Sequence, residues 1–189
     1  MSDNQTLNSI LFEILLETGM RDTTYNPSES KYLFAAGGIW NGQARIGKTF
    51  NQYAAAINGS LGSAGLFSNV QDMSTYMQMM LNKGQPKSGG RVFTEKVIDE
   101  FTKRFVFTKY KNSRALGWDT VPSTNPPCGT KFSANSFGLS DVGGSYIWAD
   151  KDKGVAIVFL ANGNYPFAKP DINKWQGTLS NAIMTTLGY

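Results

Sequence analysis

An α+β fold, an antiparallel sheet packed with helices, is what this sequence predicts, on three observations. Residues 145–149 alternate and are rich in aromatic and β-branched side chains, residues 155–161 form a nearly unbroken apolar run, and 150–154 is a polar, glycine-closed turn. That is the pattern of two adjacent antiparallel strands, one of them central because both of its faces are apolar. Apolar residues recur at helical spacing in several segments elsewhere, and glycine- or proline-rich stretches separate those segments.

In chain order, Leu7, Ile10, Leu11, Ile14 and Leu15 predict an amphipathic helix that stops at Gly19. Residues 28–63 are rich in Gly, Ala and Asn without a sustained period and read as a long, partly irregular excursion. Ser68 then reads as the cap of a second helix, with Gln71 completing a capping box and Met73, Tyr76, Met77, Met80 and Leu81 as its apolar face before Gly84. Thr94 caps a third helix whose face is Val97, Ile98, Phe101 and Phe105. Residues 115–119 read as a short strand and 120–130 as a proline-rich loop. The closing helix runs over 171–187, with Asp171 as cap and Ile172, Trp175, Leu179, Ile183 and Leu187 facing the core. Gly143-Gly144, just before the hairpin, allows close backbone approach, either to another chain segment or to a ligand.

Composition narrows the chemistry. At 189 residues, 41% hydrophobic and 17% charged, the chain can build a core. Its 18 basic and 14 acidic residues are scattered rather than striped, which argues against nucleic-acid binding. No apolar run reaches membrane-spanning length and no signal-peptide pattern opens the chain, so the compartment stays unassigned. Histidine is absent, which removes Ser-His-Asp and Cys-His machinery and His-ligated zinc; a nucleophile here would need Lys or Tyr as its base. No cofactor is implied. The single cysteine, Cys128, reads as an incidental loop residue.

Several stretches carry a family resemblance. Residues 65–85, GLFSNVQDMSTYMQMMLNKGQ, resemble GLFSTAEDLAKFMQMLLNGG of the β-lactamase-related serine hydrolases, which include class C β-lactamases, penicillin-binding proteins, D-aminopeptidases and esterases. Residues 18–27 are similar to that family's LGMKDTTYNP segment and residues 60–68 to GGxAGHAGLFST, with Ser63 where His often stands. Ala115-Leu116-Gly117-Trp118 looks like its GLGW strand, and Asn164-Tyr165-Pro166 like its NRxxP turn. Phe137-Gly138 opens the strand that carries FGHTG or Lys-Thr-Gly in the family; the aligned triplet here is Leu139-Ser140-Asp141.

The resemblance implies a β-lactamase/transpeptidase-like domain whose chemistry is acyl transfer on amides or esters. A serine attacks, a lysine one helical turn on assists removal of its proton, and a Tyr-x-Asn loop supplies a second proton-transfer group. In the family a basic triplet on this strand fixes the substrate carboxylate; its substrate-binding position falls on Leu139, Ser140 and Asp141, and an oxyanion-hole amide on the neighbourhood of Val142. Ser28 with Lys31 matches Ser-x-x-Lys, Tyr110-Lys111-Asn112 matches Tyr-x-Asn, and Lys48-Thr49 begins a Lys-Thr-Gly that ends in Phe50. About one such Ser-x-x-Lys is expected by chance, and Ser28 follows Asn26-Pro27 where the family has a surface loop.

The resemblance covers residues 1–189 as one partial domain: 1–114 mainly helical and irregular, 115–189 sheet strands and a closing helix. It corresponds to the C-terminal half of the family's domain, with the opening strands, nucleophile helix and tyrosine loop expected before Met1. Such a chain is part of a split or processed hydrolase, or a catalytically dead structural or binding subunit, or, as a third and weaker reading, a small self-sufficient hydrolase using Ser28 and Lys31. In each case, a protein partner or self-association is expected to cover an open sheet edge and an apolar face.

Overall fold

The computed structural model describes residues 6–27, 34–107, 112–122, 126–163, 165–166 and 175–189. In chain order the elements are α1 (Leu7–Thr18), β1 (Thr24–Tyr25), β2 (Ala36–Trp40), β3 (Gln43–Ile46), α2 (Gln52–Ala56), β4 (Leu66–Phe67), α3 (Val70–Leu81) and α4 (Glu95–Phe101). They continue with β5 (Phe105–Phe107), β6 (Asn112–Arg114), β7 (Asp119–Thr120), β8 (Ser136–Ser140), β9 (Tyr146–Asp150), β10 (Val155–Phe159) and α5 (Gln176–Thr186). None of these helices is long and apolar enough to cross a membrane.

One antiparallel sheet, ordered β10-β9-β8-β7-β6-β5, organises the molecule. Period-two alternation sends Ile147 and Ala149 of β9 to one face and Tyr146 and Trp148 to the other. On the first face they pack with Ala156 and Val158 against Met77 and Met80 of α3, together with Trp118 and Phe137. On the second face, Tyr146, Trp148 and Ile157 meet Phe132, Cys128 and Met184 of α5. Helices therefore cover both faces, which is why residues 146–149 and 155–159 of this hairpin are apolar on either side. Gly138 is required by this packing, because a Cβ there would fall 2.4 Å from the Trp148 ring and from the Ile147 carbonyl oxygen.

One strand of the hairpin is inner, as the pattern predicts. The apolar run, β10, is the outer strand and β9 the inner one. Apolar faces report cover above and below a strand and say nothing of hydrogen bonding at its sides. The open edge expected from sequence is found on β10 among the described residues, whereas the apolar face beside it is covered by α3 and α5.

Helix ends follow the expected chemistry with small shifts. Gly19 closes α1 in the left-handed conformation at φ 77°. The cap of α3 is Asn69 rather than Ser68: its side chain accepts from the Asp72 amide at 2.8 Å. Asp72, buried in the first turn, accepts hydrogen bonds from the Asp22 amide and the Thr23 hydroxyl instead of completing a capping box, and so ties β1 to α3. On α4 only Ile98 is buried; Val97 and Phe101 are exposed. Of residues 115–119, 115–118 form the turn of the β6–β7 hairpin, closed by the Ala115 amide on the Trp118 carbonyl and by Gly117 at φ 77°, and only Asp119 is strand. Cys128 is fully buried rather than a loop bystander, and burial pushes its thiol up to about 12.

The inward stripe of α5 lies one residue from its expected place. Gln176, Ser180 and Met184 are buried, while Trp175 and Leu187 are exposed. The polar members find partners inside: Gln176 Nε2 donates to the Gly144 carbonyl at 2.8 Å, and Ser180 Oγ lies 3.0 Å from Tyr146 Oη. Asp171 and Ile172 are outside the described residues.

Candidate active-site cleft

β8 leads into the candidate site. β7 pairs with β8 only at Phe137 and Gly138, so on that side Leu139 and Ser140 have no strand partner among the described residues. The chain then turns sharply. Asp141 holds the turn from within: its amide donates to the Ser145 carbonyl at 2.8 Å, its side chain accepts from the Gly143 amide at 2.8 Å, and its carbonyl accepts from the Gly144 amide. Three further contacts lock the turn to its surroundings. The Gly163 amide donates to the Gly143 carbonyl, Gln176 donates to the Gly144 carbonyl, and the Ser145 hydroxyl bridges the amide and carbonyl of Ala161.

Within this locked turn the Val142 amide N–H has no hydrogen-bond acceptor among the described residues, and the Val142 side chain is exposed. A fixed, unengaged backbone donor is what an oxyanion site requires. Gly143 and Gly144 thus serve packing and turn formation: both are buried, and Gly144 has φ 93°.

Facing the turn across a cleft of about 890 Å³ stands the β2–β3 hairpin. The cleft is lined by Trp40, Arg45, Lys48, Phe50 and Tyr53 on the hairpin side and by Asp141, Val142 and Asn162 on the sheet side. Asn162 joins the two walls by donating to the Ala36 carbonyl at 3.1 Å. Gly37 lets the returning chain lie directly over β2, since a Cβ there would fall 2.3 Å from the Lys48 carbonyl oxygen. The Arg45 guanidinium stacks on Trp40, 5.3 Å from the ring centroid.

The residues predicted from sequence divide cleanly. Asp141 and Val142 line the cleft, and Leu139 and Ser140 form the strand end leading to it. Ser28 and Lys31 lie outside the described residues, as do Tyr110 and Lys111. Lys48, whose Lys-Thr-Phe is only an incomplete Lys-Thr-Gly, does line the cleft. Arg45 and Trp40 carry no motif, and sequence reasoning missed them. Four other lysine and tyrosine side chains are engaged away from the cleft or buried. Burial lowers the Lys151 pKa, but its ammonium is bound to the carbonyl and hydroxyl of Thr102. Tyr25, Tyr76 and Tyr146 are held protonated by burial, which raises each phenol.

Known proteins share this fold. A 32% identical stretch of 121 residues aligns with a Salmonella newport protein named "Putative D-alanyl-D-alanine carboxypeptidase", covering 62% of this chain and 27% of that protein. Among solved structures, a penicillin-binding protein homologue from Caulobacter crescentus superposes with TM-score 0.62 at 20% identity, over 95% of this chain and 53% of its own. Simvastatin synthase from Aspergillus terreus gives TM-score 0.66 at 13% identity, over 95% of this chain and 49% of its own. A β-lactamase from Mycobacterium bovis gives 0.61 at 18%, over 95% and 56%. At these identities the superpositions establish the fold, which is β-lactamase/transpeptidase-like. The chain spans about half the length of these solved relatives and about a quarter of the curated one. The β-lactamase family model matches residues 3–180, nearly the whole sequence, and on that match the chain belongs to the β-lactamase family of serine hydrolases.

Proposed function

We propose that this chain contributes the C-terminal half of a serine acyl-transfer site acting on amides or esters, and that it is inactive by itself. The observation that carries the reading is the Val142 amide, without an acceptor among the described residues, in a turn at the mouth of a cleft held by the Asp141, Gly163 and Gln176 hydrogen bonds. There it would receive the negative charge of a tetrahedral intermediate formed when a serine oxygen adds to the acyl carbonyl. The nucleophile would come from polypeptide outside these residues, since among the described residues no helix carries a serine followed three residues later by lysine. The open edge of β10 is where such a segment or partner would add its strands.

A second reading, a catalytically dead binding subunit, is favoured by one feature. Leu139-Ser140-Asp141 places a carboxylate, and no cation, where the family's basic triplet stands. Both readings predict that the chain alone forms no covalent adduct with a fluorescent penicillin or a fluorophosphonate, measured by intact mass. Adduct formation on Ser28 would overturn both. Isolation of the natural protein separates them. Co-purification with a chain bearing Ser-x-x-Lys, and adduct formation on that serine, sustains the half-site. A homo-oligomer that never labels leaves the binding subunit.

A further inference from the structure

The charge that the β8 triplet lacks is present on the opposite wall of the same cleft. Its charged lining residues are Arg45, Lys48 and Asp141. Asp141 is committed to its own turn through the Gly143 amide. Neither Arg45 nor Lys48 has a carboxylate partner among the described residues, so both cations of the cleft lining are open to a ligand. Arg45 is also pre-positioned: half-buried, it lies over Trp40, which removes much of the side-chain freedom a ligand would otherwise have to restrain. Beside it, Trp40 and Phe50 are 59% and 60% exposed and together give this wall of the cleft an aromatic surface.

We propose that Arg45 and Lys48 form the anion subsite of this cleft, selecting ligands with a flat apolar body and one negative charge. The body would rest on Trp40 and Phe50, and the carboxylate would be held from the hairpin rather than from β8. Asp141 would repel a carboxylate placed at the strand, so the ligand's charged end is displaced toward Arg45. The inference deepens the acyl-transfer reading by naming a substrate class, and it rests on that reading only for the cleft being the substrate's. Its test needs no nucleophile.

The experiment is a titration of the full chain, followed by tryptophan emission and by calorimetry, with three probes of one shape: 2-naphthoate, 2-naphthamide and 2-naphthylmethylammonium. The naphthoate is expected to bind about five- to tenfold more tightly than the amide, and the ammonium more weakly than either. The preference should shrink as salt rises from 20 to 500 mM, because the subsite is open to solvent. Arg45→Gln and Lys48→Gln should each lower the ratio of naphthoate to amide affinity measured on the same variant. If the hairpin does not tolerate Arg45→Gln, the probe comparison and salt series on the unaltered chain still decide. Equal affinities for naphthoate and amide, or preference for the ammonium, would overturn the proposal. Failure of the acyl-transfer reading would instead appear as absence of a labelled serine partner with this charge preference intact.

Discussion

Aromatic residues meet opposite fates in the two walls of this cleft. In the sheet wall, Phe137, Tyr146 and Trp148 are at most 1% exposed, each pressed between β strands and a helix. In the hairpin wall, Trp40, Phe50 and Tyr53 are 59%, 60% and 69% exposed. The difference lies in what each wall is packed against. β8, β9 and β10 have α3 on one face and α5 on the other, whereas β2 and β3 form a two-stranded sheet of their own. A two-stranded sheet cannot bury both of its faces without another layer. Apolar composition alone therefore does not make a core; an opposing layer does, and an aromatic surface without one is available to a ligand.

The sharpest way to break the comparison is Trp148→Ala. Trp148 is fully buried, lies edge-on to Phe132, and presses on Gly138. Its removal is expected to cost about 3–5 kcal/mol, read from the midpoint of urea unfolding. If the loss were below about 1 kcal/mol, the sheet wall would not be the stabilising half of the molecule.

A smaller effect tests the joint between the sheet wall and the site. Gln176→Leu keeps the side chain's bulk but removes the donor to the buried Gly144 carbonyl. A buried acceptor left unpaired costs about 1–3 kcal/mol. The local consequence is more telling than the global one. The Gly163 amide, which donates to the neighbouring Gly143 carbonyl, should exchange its hydrogen faster than amides in β9. Unchanged exchange at Gly163 would mean that the turn is held by Asp141 and Ser145 alone.

How much of this was legible in the sequence follows the same division. α1 with its Gly19 stop, α3 with its methionines, and the β9–β10 hairpin were readable, because each is specified by local periodicity and by end signals within a few residues. The buried stripe of α5 was misplaced by one residue. Gln176 and Ser180 look solvent-facing until their partners, 32 and 34 residues away in the chain, are known. Leu139–Val142 were located by motif, and Asp141 and Val142 do reach the cleft. The facing wall was not legible. β2 reads Ala-Gly-Gly-Ile-Trp, with a register shift between Ala36 and Ile39 that breaks any alternation. Arg45 and Lys48 meet Asp141 only because the fold brings segments about a hundred residues apart to opposite sides of one cleft.

The smallest expected effect is the one that sharpens the comparison most. Trp40→Ala deletes as large a side chain as Trp148→Ala, from the same molecule, yet should change unfolding stability by no more than about 0.5 kcal/mol, the range for surface sites. Its ring touches solvent over most of its area, and among the described residues its ring partner is the Arg45 guanidinium stacked on it, an exposed-site contact of about 0.5–1 kcal/mol that water partly replaces. Binding should respond where stability does not, since the same deletion removes the apolar platform and frees Arg45 to sample other rotamers. A Trp40→Ala protein that unfolds at the wild-type urea midpoint but no longer binds 2-naphthoate would assign the two walls different work, one holding the fold and the other the ligand. A protein that unfolds several kcal/mol earlier would instead show that the hairpin aromatics are core after all, packed in solution against a layer that the described residues do not include.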